Sequence, residues 1–91
     1  MSVETFEVIL SPDAEKVYLR QDRPTRQRIA SAIARLKFNP TSGPNINRLH
    51  GELEGNYRVR LGGWRIIYSV DLKSRKVFVK LIRSRGDVYK R

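Results

Sequence analysis

The sequence predicts a single α+β domain of order β-α-α-β-β-β, a curved antiparallel sheet with a helical hairpin packed on one face. Three observations carry this reading. Apolar residues alternate from Thr5 to Leu10, two helix-period stripes follow on either side of a proline break, and near residue 56 the period returns to two. A chain of 91 residues has room for one domain, 1–91, and for one modest core.

Each element has its own local cause. Phe6, Val8 and Leu10 fall on one side of the first segment and Glu7 on the other, the pattern of a half-buried strand. Ser11-Pro12-Asp13 then supplies an N-cap, a proline at the first helical position and an acid in the first turn. Ala14, Val17 and Tyr18 make the short apolar stripe of that helix, which must stop near Asp22 because Pro24 disfavours helical geometry at Arg23. A second helix begins there. Its stripe is Ile29, Ala32, Ile33 and Leu36, with Ile33 and Leu36 expected in the core, and it ends before Pro40. Two helices with so tight a break form an αα-hairpin.

Thr41 to Asn47, with Gly43, Pro44 and two asparagines, reads as a loop. Beyond it Tyr57, Val59 and Leu61 alternate with Arg58 and Arg60, and Gly62-Gly63 supplies a two-residue hairpin turn. Trp64, Ile66, Tyr68 and Val70 continue the alternation, and Asp71 to Arg75 turns the chain again. Val77 to Ile82 is apolar on both faces apart from Lys80, as suits a central strand, and the tail from Arg83 to Arg91 is polar with no further element. The first strand is expected at one edge of the sheet or beside the last strand.

Composition excludes several function classes. With no cysteine there is no disulfide scaffold, no zinc ribbon and no cysteine nucleophile, which is compatible with a reducing cytoplasm. No apolar run approaches the ~18 residues of a membrane span, so no membrane partner is expected. Met1 to Leu10 carries two glutamates and no lysine or arginine, the wrong pattern for a secretory signal. The hydrophobic content of 40% argues against disorder.

Charge points to the partner. The chain carries 19 Lys+Arg against 9 Asp+Glu, a net +10. The excess lies in the second half, where residues 46–91 hold twelve cations and four acids, against seven and five in residues 1–45. A one-sided excess suits a polyanion, either nucleic acid or an acidic protein. Most of the cations are arginines, which grip phosphate bidentately and stack on bases. Alternation places Arg58 and Arg60 opposite Tyr57, Val59 and Leu61. If the apolar side meets the helices, the two arginines point into the open concavity; the plainer reading of the pair is a solvated strand face.

Tyr57, Trp64 and Tyr68 read as core aromatics rather than RNA-stacking ones, and Tyr89, near the chain end and on no apolar repeat, as the reverse. His50 is the only histidine, a candidate acid–base group or a hydrogen-bonded loop residue. Glu52 and Glu54 flank a glycine loop and read as solvated. Neither a metal-ligand cluster nor a glycine-rich phosphate loop is legible, so no cofactor is expected.

The ordered set Leu49-His-Gly51, Asn56-Tyr-Arg-Val-Arg-Leu-Gly-Gly-Trp-Arg-Ile-Ile-Tyr68 and Arg83-Ser-Arg-Gly-Asp-Val-Tyr89 resembles the RelE/ParE superfamily of toxins from type II toxin–antitoxin modules. The resemblance covers nearly the whole chain and lies closer to RelE-like mRNA interferases. It implies a cytoplasmic toxin held inactive by an acidic, RelB-like antitoxin. It further implies a metal-independent endoribonuclease that cleaves mRNA in the decoding site of the ribosome. Carried over residue by residue, the basic pair of the family falls on Arg58 and Arg60, and its transition-state arginine on Arg65. Its C-terminal arginine falls on Arg83 or Arg85, and its base-stacking tyrosine on Tyr89. Where such toxins often carry lysines or a histidine, this chain has Arg58, Arg60 and Ser84. An arginine is a poor general base, so charge stabilisation and positioning are better supported than an assigned base. ParE-like members, which inhibit DNA gyrase, generally lack the full set and are the alternative, along with a catalytically inactive basic binding module.

Overall fold

The computed structural model describes residues 5–84. Strand β1 (Glu7–Leu10) leads into helices α1 (Pro12–Leu19) and α2 (Arg23–Leu36), and then into strands β2 (Ile46–Arg48), β3 (Asn56–Leu61), β4 (Trp64–Asp71) and β5 (Lys76–Ser84). The sheet order is β1-β5-β4-β3-β2. β2 to β5 form antiparallel neighbours, whereas β1 joins the edge beside β5 and runs parallel to it, so the sheet is mixed. β5 thereby acquires a neighbour on each side, as its apolar character suggested.

The helix starts follow the expected chemistry. The Ser11 hydroxyl accepts the Ala14 N–H at 3.0 Å, and Asp22 Oδ1 accepts the Thr25 N–H at 3.3 Å. That cap hydrogen bond holds the Asp22 carboxyl below the ordinary range. Asp71 is lowered in the same way by the Ser74 and Lys73 N–H groups of the β4–β5 turn.

The core lies between the helix pair and one face of the sheet. Ala14 of α1 and Ile29, Ala32 and Leu36 of α2 pack with Val59, Ile66, Tyr68, Val77, Val79 and Ile82. Leu36 is buried as expected. Ile33 is only partly buried; it packs against the edge of the core and lines a surface groove with Leu10 and Tyr18.

Two features depart from the sequence reading. The stretch taken as a loop contains the three-residue β2, paired to β3 through Ile46↔Val59, and a single turn of 3-10 helix follows at Gly51–Leu53. β5 carries a bulge: Ile67 pairs with Leu81 but Tyr68 with Val79, leaving Lys80 as the extra residue. The bulge is pinned by the N-cap of α1, because the Ser11 hydroxyl donates to the Lys80 carbonyl at 2.9 Å.

Tyr68 is fully buried and stacks on Tyr57, with ring centroids 5.6 Å apart. Its hydroxyl donates to the Pro40 carbonyl at 2.7 Å. Burial, with Tyr57 beside it, pushes that hydroxyl above the ordinary tyrosine range, so it stays a neutral donor. Tyr68→Phe is expected to cost about 1–3 kcal/mol, because the carbonyl that fastens the loop after α2 loses its partner in a dry site. A urea titration checks this; an unchanged midpoint would mean that water replaces the hydroxyl.

Candidate functional site

The face of the sheet away from the helices collects the arginines. Val59 is buried and Arg60 exposed, while Arg58 is half-buried, so the alternation expected for β3 holds. Cross-strand register aligns Arg60 with Arg65, and Arg65 with Arg83. Three guanidinium-bearing residues thus form one row across β3, β4 and β5. Arg58 lies two residues along β3, opposite Ile67, and that residue in turn pairs with Leu81. Like charges directly opposite each other on a sheet are destabilising. A row of three is therefore a local conflict of the kind found where a fold serves a ligand.

The bulge is what places Arg83 in the row. Val77 and Val79 face the helices, and simple alternation would send residues 81 and 83 the same way. The extra residue Lys80 shifts the phase, so Ile82 is buried and Arg83 meets Arg65 on the open side. Bulges re-aim side chains in this manner beside functional sites.

Arg83 is also the one row member with an acidic partner among the described residues. Its Nη1 lies 2.9 Å from Asp13 Oδ2 at the start of α1, and it donates to its neighbour Ile82's carbonyl at 3.0 Å. Both charged side chains are part-exposed, at 33% and 53%. A pair of that kind contributes only about 0–1 kcal/mol, so it does not lock Arg83 in place. Arg58 differs: its Nε is buried and has no hydrogen-bond partner among the described residues.

At the hairpin end the row opens into a hollow of about 440 Å³, lined among others by Arg60, Arg65, Asn45 and Arg35. Gly62 shapes its rim. It adopts φ +61° with Gly63 not positive, the pattern of a type II′ turn, and the Arg28 Nη2 lies where a β-carbon on Gly62 would be, 2.5 Å from it.

Arg85 and Tyr89 lie outside the described residues. His50 is exposed and makes no side-chain cap hydrogen bond to the 3-10 turn, and Glu52 and Glu54 are also exposed. Trp64 and Tyr57 pack partly buried against the core and Tyr68 lies within it, consistent with the core reading of all three. Arg35 and Asn45 were not legible as site residues. A lone exposed arginine in the last turn of a helix has no periodic signature, and Asn45 earns its place through a left-handed φ of 68° and a carbonyl that accepts the Arg60 N–H.

A mixed sheet backed by two helices, with a row of arginines on its other face, defines a small basic α+β domain. A family model described as the ParE toxin of type II toxin–antitoxin systems, parDE, matches residues 8–89, and the chain belongs to that family. Solved toxins of the RelE/ParE superfamily share the fold. The chain is similar to the archaeal RelE in complex with RelB from Pyrococcus horikoshii OT3, at 25% identity and a TM-score of 0.78, over 90% of this chain and 97% of that one. The YoeB/ParE toxin from Agrobacterium tumefaciens follows at 20% identity and 0.76, over 87% and 98%. The intact E. coli RelBE toxin–antitoxin complex is similar at 20% identity and 0.74, over 87% and 95%. These last two likenesses are of fold. No curated protein matches the sequence. Among the described residues no helix is long and apolar enough to cross a membrane.

Proposed function

We propose that this toxin is a ribosome-dependent endoribonuclease that cleaves mRNA in the decoding site and so stops translation in the cytoplasm. The observation that carries the reading is the register row Arg60–Arg65–Arg83, with Arg58 beside it, on the face of the sheet away from the helices. In the reaction the 2′-OH attacks the adjacent phosphorus, the bond to the 5′-oxygen breaks, and a 2′,3′-cyclic phosphate and a 5′-OH result. The developing dianion needs several fixed donors where water is limited, and guanidinium groups supply them. Arg58 and Arg60 bind the strand, Arg65 meets the transition-state charge, and Arg83 or Arg85 supplies the C-terminal guanidinium. Tyr89 stacks on the splayed base.

The partner that silences the toxin is an acidic, RelB-like antitoxin. Two of the solved neighbours are toxin–antitoxin complexes of RelE with RelB, and a net charge of +10 suits an acidic segment laid on the arginine face or its rim.

The family model's own description, ParE, favours a second reading, inhibition of DNA gyrase. Induction of the toxin separates the two. Arrest of translation before replication, with mRNA fragments that carry 2′,3′-cyclic phosphate ends, is expected; 5′-phosphate ends, or early arrest of replication with intact mRNA, would overturn the nuclease reading. Tyr89→Phe should keep much of the cleavage activity, because stacking needs only the ring, whereas Tyr89→Ala should not. A strong loss in the phenylalanine variant, read by primer extension on ribosome-bound message, would assign the hydroxyl to proton transfer instead.

A further inference from the structure

We infer that the hollow at the β3–β4 hairpin is a second phosphate subsite, which holds the substrate strand one linkage away from the scissile bond, with Arg35 of α2 as its outer anchor. The inference rests on the nuclease reading and extends it to a residue on a different element from the arginine row.

The hollow combines three guanidinium-bearing residues, Arg35, Arg60 and Arg65, and no carboxylate is among its lining residues. Among the described residues none of the three is in an ion pair. Arg28 adds a fourth cation at the rim, against Gly62. Such a cluster repels itself until an anion enters, and a phosphate oxygen fits the planar donor fork of arginine. The volume, about 440 Å³, falls in the range of small-ligand sites, so it admits a phosphate together with its sugar.

Position assigns the strand. Arg60 and Arg65 belong both to the row on the open face and to the hollow, so the two are continuous. β2 ends its pairing at Val59 and leaves the end of β3 to the Asn45 carbonyl, so among the described residues no strand pairs with β3 beyond it at this corner. An RNA strand that crosses the row passes the hairpin turn and reaches Arg35 on the helix side. A cation in the last turn of α2 also suits the helix dipole, but that role asks for no shared hollow with Arg60 and Arg65.

The test is binding of a labelled, uncleavable 2′-O-methyl oligoribonucleotide, about a dozen nucleotides long, to the full chain, read by fluorescence anisotropy over a salt series. Arg35→Gln should lower the slope of log K against log salt by about 0.7, one phosphate contact on a single strand, and weaken binding about tenfold or more at low salt. Arg35 is exposed and glutamine is a good helix former, so the thermal midpoint should stay put. Arg35→Lys should keep the slope. Lys73→Gln, in the turn between β4 and β5 at the far end of the sheet, should change neither quantity. With a dinucleotide, which has no flanking phosphate, wild type and Arg35→Gln should bind alike. A wild-type slope in Arg35→Gln, an equal loss in Lys73→Gln, or an equal loss with the dinucleotide would each overturn the subsite. None of these readouts depends on whether translation or replication stops first, so the subsite and the nuclease reading can fail separately.

Discussion

Arg65→Ala is expected to abolish toxicity while leaving the fold and antitoxin binding largely intact. Arg65 is the middle member of the row, flanked in register by Arg60 and Arg83, and it is half-buried. A donor held there is poised before the reaction and needs little rearrangement as charge develops. Loss of one such donor typically lowers the rate ~10²–10³-fold. The substitution also relieves two like-charge pairs across the sheet, so stability should hold or rise slightly. Single-turnover cleavage on programmed ribosomes, paired with a thermal melt, measures both sides. A variant that stays fully active would place the chemistry elsewhere on the molecule.

The largest stability effect is expected at Leu36. It is 1% exposed and belongs to the single cluster that joins α2 to the central strands. Truncation to alanine should cost about 2–5 kcal/mol, the transfer free energy of the lost methyl groups plus the cavity they leave. For a small domain with a total stability of roughly 5–15 kcal/mol, that is a substantial fraction. Ile33→Ala should cost less, because Ile33 keeps one side in the groove beside Tyr18. Equal losses at the two positions in urea titrations with constant slope would mean that the helix is rotated from the orientation described.

The sequence carried more of the fold than of the site. Alternation at Tyr57, Val59 and Leu61 was enough to sort the faces of β3, since the period of two leaves a half-buried strand no other choice. Ser11 and Asp22 announced their helices because a cap acts over three residues. Legibility failed where the cause was distant or brief. β2 is three residues long with Ile46 as its one apolar member, too short to display a period. Val77-Phe-Val-Lys-Leu-Ile82 is apolar apart from Lys80, and a single lysine fits a regular strand equally well, so it does not mark where the phase slips. The slip at Lys80 is held by Ser11 of another element, and through it Arg83 reaches the arginine row. Arg58 and Arg60 were legible because they alternate with apolar residues on one strand, and Arg65 through the resemblance to RelE-like toxins. Arg35 joins them only through the packing of α2 over the hairpin end.

Parallel pairing of β1 with β5 also sets a clock. Ser11, between β1 and α1, bonds to Lys80, 69 residues later, and Glu7 finds its partner only at Lys76. During synthesis both helices and four of the five strands can emerge while β1 still has no neighbour and β4 has only β3. Pairings so distant along the chain are intrinsically slow to form. The arginine row is incomplete at that stage too, since Arg83 belongs to β5. The row therefore stays two arginines wide until β5 has been made and has paired with β4.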